Sequence, residues 1–167
     1  MNHTPIYNHN GTYAREHGEL TQYRESLLMN IACKDAIEGA ICKHFDGMHL
    51  DKQALSDVLD EFSSERVRFV LSATLQRKDY DGRFSRDNKA WAAELDTSFS
   101  TSPAYDHRPC FCVESHPAVL DGFVSLFRRE AERQRKPSVA ELLKPKNDKP
   151  RQVKPKAAVK QKTGWEL

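Results

Sequence analysis

The amino-acid sequence predicts a mainly α fold: a small multi-helix domain with at most one short strand pair, followed by a disordered basic C-terminal tail. Apolar residues recur at spacings of three and four along most of the first 127 positions, the period of amphipathic helices. Cap and turn residues break that pattern at Gly18, Asp46-Gly47, Ser63-Ser64, Asp81-Gly82 and Ser115-His116-Pro117. Charge divides the 167 residues: positions 1–135 hold 17 Lys and Arg against 21 Asp and Glu, whereas positions 136–167 hold 9 against 3. An acidic body and a basic tail hide behind the formal net charge of +2, an asymmetry that bears on partners rather than on fold.

Taken in order, residues 1–10 are polar and read as a flexible N-terminus, and 11–135 read as the helical domain. Thr12 to His17 forms one short turn, ended by Gly18 as a left-handed cap. From Glu19, the stripe Leu20, Tyr23, Leu27, Ile31, Ile37, Ile41 and Phe45, with Cys33 and Ala36 filling the longer gap, predicts a helix of about seven turns. Asp46-Gly47 ends it. Asp51 is the expected cap of the next helix, whose face is Ala54, Leu55, Val58, Leu59 and Phe62. Ser63-Ser64 breaks and recaps the chain. Val67, Val70, Leu71, Thr74 and Leu75 form the following stripe, with Phe69 flanking.

Residues 80–95 are the expected organising stretch. Asp81-Gly82 is a turn, Ser85 a helix N-cap, and Asp87 an acid at the positive end of the helix. Trp91 and Leu95 share a face onto which Phe84 can staple. Asp96 to Arg108, rich in Ser, Thr and Pro, reads as a surface loop. Pro109 to Val113 alternates like a short strand or an extended rail, and Ile6-Tyr7 is a weak pairing candidate. Glu114 to Pro117 starts the last helix, with Pro117 at its first position. Val119, Leu120, Phe123, Val124, Leu126 and Phe127 make its apolar face, and Arg128, Arg129, Arg133 and Arg135 load its end. Residues 136–167 carry four of the eight prolines and too little apolar surface to offset ordering, so they read as disordered. Ser138 to Leu143 is a docking turn in that tail, and Trp165 either a motif anchor or an unburied residue.

No apolar run approaches the ~18 residues of a membrane span, and no basic-then-apolar leader opens the chain. The four cysteines make no secreted-type framework, so reduced thiols and a cytoplasmic setting are expected. A glycine-rich phosphate loop and a His-Glu-x-x-His pair are both missing. His107, Cys110, Cys112 and His116 are four zinc-type donors within ten residues. The one-residue gap between the cysteines, and the lack of a distant ligand pair, favour small core cysteines instead, so no metal and no cofactor are expected. His116 beside Ser115 and Asp121 invites a catalytic reading, but triad members meet through the fold rather than along the chain. Turn and helix-start roles account equally for Asp81 and Asp87. No catalytic residue is therefore expected. Arg83, Arg86 and Lys89 form either a contact patch or a solvated face paired with Asp87 and Glu94. The tail lysines suit non-specific, salt-sensitive contact with phosphates, or simple solubilisation.

Four blocks carry a resemblance: Tyr13-Ala-Arg-Glu-His-Gly-Glu-Leu-Thr-Gln-Tyr-Arg-Glu-Ser26, Asn30-Ile-Ala-Cys-Lys-Asp-Ala-Ile37, Asp81-Gly-Arg-Phe-Ser-Arg-Asp-Asn-Lys-Ala-Trp91 and Ser115-His-Pro-Ala-Val-Leu-Asp121. Together, over about residues 5–135, they resemble an uncharacterised bacterial domain-of-unknown-function family carried on conjugative elements, plasmids and phages of gut bacteria. Its members end in a Lys/Pro-rich tail closing on Glu-Leu, as Glu166-Leu167 does. The blocks are also similar to a mobile-element anti-CRISPR inhibitor of Cas9-type nucleases. The resemblance implies a non-enzymatic accessory protein that grips such an effector, with its guide RNA, and blocks target DNA engagement. The alternative is a nucleic-acid-binding accessory of conjugation or replication. The residues expected to touch a partner are Asp81, Arg83, Arg86, Asp87, Asn88, Lys89, Trp91 and His116.

Overall fold

Side-chain caps and two left-handed glycines set where the chain turns, and those turns decide which helix faces meet. The computed structural model describes residues 4–100 and 111–135. Among them lie six α-helices, α1 (Gly11–Glu16), α2 (Leu20–His44), α3 (Gln53–Glu61), α4 (Ser64–Arg77), α5 (Arg86–Ala93) and α6 (Pro117–Arg135), with one 3-10 turn at Ser98–Ser100. The described residues form no sheet; one isolated antiparallel bridge joins Phe45 to Leu50. The fold is thus mainly α, as the sequence predicts. Contacts divide the chain into a unit over Met1–Arg129 and a second from Glu130. Of the second, only the end of α6 is described, where Glu130 pairs with Arg133 at 2.5 Å. The basic tail with Ser138, Leu143 and Trp165 lies outside the described residues, as do His107 and Cys110.

Asn10 caps α1, its side-chain oxygen accepting the Tyr13 N–H at 2.8 Å. Gly18, at φ 70°, then turns the chain into α2. The buried face of α2 differs from the expected stripe. It runs Ser26, Asn30, Cys33, Ile37, Ala40 and Ile41, while Leu27 and Ile31 are half-buried and Leu28 is exposed. The reason is Arg66, whose buried guanidinium lies against Ser26 and Asn30 and needs oxygens there. After α2, Gly47 takes φ 102°. The Asp46 carboxylate accepts the N–H groups of His49 and Met48, which hold it below the usual carboxylate range. Lys52, not Asp51, occupies the cap position of α3. Asp51 still serves that turn, accepting the Gln53 N–H at 3.0 Å.

Helix α4 begins where the Ser63 hydroxyl accepts the Arg66 N–H. One apolar stripe was expected on it, yet every residue from Val67 to Leu75 except Arg68 is buried. α2, α3 and α5 all pack on it, and Phe111 and Val113 are buried with it in one apolar cluster. Their segment is the extended rail, not a strand. The Val113 N–H donates to the Thr74 hydroxyl at 3.1 Å, and Lys78 donates to the Val113 carbonyl at 3.0 Å. Tyr7, the weak strand-pairing candidate, instead donates its N–H to the Ser26 hydroxyl at 2.9 Å. Ser72, at the centre of α4, is fully buried, and its hydroxyl has no hydrogen-bond partner among the described residues.

α6 completes the core with Leu120, Phe123, Val124 and Phe127, side chains whose burial is worth about 1.5–3 kcal/mol each. The inward face of α5 corrects the expected anchor. Phe84, Asn88 and Ala92, spaced by four, are the buried positions. Trp91, one residue off that line, is only half-buried against the core.

Candidate partner interface

Residues 81–91 are held by a polar network that begins at the turn. The Asp81 carboxylate accepts the Arg83 backbone N–H at 2.9 Å and the Nε and Nη2 donors of the Arg83 guanidinium, at 3.0 and 2.9 Å. The fork matches a carboxylate's two oxygens. These Arg83 bonds pull the Asp81 carboxyl down to about 2, and the same pairing raises Arg83. Ser85 caps α5, accepting the Asn88 N–H at 3.2 Å.

Asn88 is fully buried and joins α5 to α6. Its amide nitrogen donates to the Asp121 carboxylate at 2.8 Å, the Asp121 carbonyl at 3.1 Å and the Ser125 hydroxyl at 3.1 Å. Its oxygen accepts from Arg128 at 2.8 Å. Asp121 also accepts the Ser85 N–H at 2.9 Å, so a carboxylate already sits at the N-terminus of α5. Asn88 and Asp81 thus shape the surface from within.

What remains outward is a cluster at the rim. Trp91 meets Phe127 edge-on, centroids 5.8 Å apart. The Arg68 guanidinium lies 5.8 Å over the Trp91 ring, and Arg68 also reaches Glu94 at 3.6 Å. Glu94 therefore pairs with Arg68 rather than with the cations of α5. Arg86 and Asp87 are exposed and Lys89 is half-buried. Neither Arg86 nor Lys89 makes an ion pair among the described residues.

His116 stands apart from this group. Its Nδ1 accepts the Ala118 N–H at 3.2 Å and its carbonyl the Leu120 N–H at 2.9 Å, so it opens α6 as a cap. It lines an open pocket of about 650 Å³ with Ile41, Cys42, Phe45 and Val119, and none of residues 81–91 lines that pocket. Asp121, bound to Ser85 and Asn88, is the tie between α5 and α6.

Sequence reasoning gave Arg68 and Arg66 no role, and it named Asp121 beside His116 and Arg128 at a helix end without foreseeing that both bind Asn88. Arg68 carried no signal, since its stacking on Trp91 depends on how α4 and α5 pack. Asn88, an amide four residues from Ala92 on the inward line, was a usable sign that a polar partner waits on another element.

Fold and surface together define a small, mainly helical domain whose buried polar groups underlie a mixed aromatic and cationic surface. The chain belongs to the family described as Protein of unknown function (DUF3849), whose model matches residues 6–132. No curated protein matches the chain, and no solved structure does.

Proposed function

We propose that the chain works by binding rather than by covalent chemistry, as a non-enzymatic mobile-element accessory that grips a Cas9-type effector and blocks target DNA engagement. The observation that carries the binding half is the Trp91–Arg68 stack, with Arg86 exposed and Lys89 half-buried on the same helix as Trp91. Half-exposed Trp and Arg are the residue types that dominate protein interfaces, and the network beneath them pre-organises the surface. The choice of effector rests on the sequence resemblance. Pull-down from cells that carry such an effector, with guide RNA present and absent, tests it. Recovery of the effector, lost on Trp91→Ala with Arg68→Ala, is the expected result. No recovery under either condition rejects it.

A nucleic-acid-binding accessory of conjugation or replication is the second reading, favoured by the basic residues 136–167. A gel shift that vanishes when those residues are deleted, and that collapses with salt, would select it.

A further inference from the structure

Arg66 is 3% exposed, and no carboxylate pairs with it among the described residues. Its Nη1 donates to the Ser26 carbonyl at 3.1 Å, to the Ser26 hydroxyl at 3.5 Å and to the Asn30 side-chain oxygen. Its Nη2 donates to the Thr4 carbonyl at 2.6 Å. All of these acceptors are neutral. A guanidinium taken out of water into such surroundings keeps an uncompensated positive charge, and its planar fork matches an oxyanion far better than single carbonyls.

The acceptors differ in how firmly they are placed. Ser26 and Asn30 belong to α2, whereas Thr4 belongs to residues 4–8, which have no regular structure. That segment is held by Ile6, half-buried against the core, and by polar bonds. The Tyr7 N–H donates to the Ser26 hydroxyl, and the Tyr7 hydroxyl donates to Glu19 at 2.6 Å. The Tyr7 ring lies edge-on to His9 and Tyr23. The segment thus covers the guanidinium and fills one of its donor positions with a main-chain oxygen.

We propose that Arg66, with Ser26 and Asn30, is the floor of an oxyanion-binding site, and that residues 4–8 occupy it as a displaceable plug. The ligand is a carboxylate or phosphate group; it takes the place of the Thr4 carbonyl, and the plug swings off α2. The site is separate from the Trp91 surface, and its test does not depend on that reading.

The full-length chain is titrated with sodium phosphate and with sodium acetate, against sodium chloride at matched ionic strength. The Arg66 side-chain resonance and hydrogen exchange at the Tyr7 amide are followed. These probes are local, so phosphate taken up by the lysines of residues 136–167 does not register. The expected result is a saturable shift of Arg66 and faster exchange at Tyr7 with an oxyanion and not with chloride. Tyr7→Ala, which loosens the plug without touching Arg66, should tighten apparent affinity by about threefold or more, because less of the chain is in the occupied state. Arg66→Lys should abolish the response. A response to phosphate alone assigns a phosphate group, and a response to acetate assigns a carboxylate. Unchanged probes in both the native chain and Tyr7→Ala overturn the proposal, as does weaker binding by Tyr7→Ala. Should Arg66→Lys fail to fold, the native and Tyr7→Ala pair decides.

Discussion

Two buried polar groups hold this domain together in opposite ways. Asn88 is neutral, and its amide nitrogen and oxygen both find partners on α6. Arg66 is charged and is met by neutral oxygens, one of which comes from an irregular segment. A neutral amide can be completed by the helices it joins. The buried cation is met by oxygens of Ser26 and Asn30 and by the Thr4 main-chain carbonyl. The comparison teaches that the α5–α6 junction is closed, whereas the junction of α2, α4 and the N-terminal segment has an exchangeable member.

Arg66→Ala gives the largest expected effect. It orphans the oxygens of Thr4, Ser26 and Asn30 and leaves a cavity, costing about 3 kcal/mol or more by urea denaturation, since each buried acceptor left unsatisfied costs about 1–3 kcal/mol. Arg66→Met should recover only the packing part. If Met restores full stability, the oxygens were not held by the cation, and the contrast with Asn88 fails. Asn88→Ala should cost about 2–3 kcal/mol in the same assay, since it takes one hydrogen bond from the Asp121 carboxylate and one from Arg128 and leaves a void between α5 and α6.

Acid separates the two regions next. The Asp81 carboxyl lies at about 2, below its ordinary 3.8. A lowered carboxyl stabilises the fold above the ordinary value, and that stability is lost as pH falls toward about 2. Asp81→Asn should flatten this limb of a melting-temperature profile between pH 4 and pH 2, whereas Arg66→Met, with no carboxylate beside it, should leave the limb unchanged. The smallest stability change is expected for Arg86→Glu with Lys89→Glu, within about 0.5 kcal/mol. The same pair should abolish capture of the partner, and retained capture would show these cations to be ordinary surface.

Much of the helical order was readable from the chain, because caps and glycines act locally. Asn10 was not foreseen as a cap, yet Gly18, Ser63, Ser85 and Pro117 all mark helix ends as their chemistry dictates. The cap of α3 was expected at Asp51, one residue before Lys52; Asp51 is the residue whose carboxylate accepts an N–H of that turn. The burial of α4 on every side was not readable, since a stripe tells which face is apolar but not how many neighbours arrive. The same limit hid Trp91's true position. Its size suggested an anchor, but Phe84 before α5, and Asn88 and Ala92 within it, are the residues that turn inward. Of the interface, the turn at Asp81 was legible in local chemistry. Arg68 over Trp91, and Asp121 beneath Ser85, join residues more than twenty positions apart and left no mark along the chain.

The silent hydroxyl of Ser72 has a consequence for the lineage. It lies in a helix enclosed on almost every side and makes no hydrogen bond among the described residues. Alanine there would remove a desolvated polar atom while leaving almost no void. Descendants can therefore cross that position without a matching change elsewhere, gaining tolerance for riskier substitutions on the outward face.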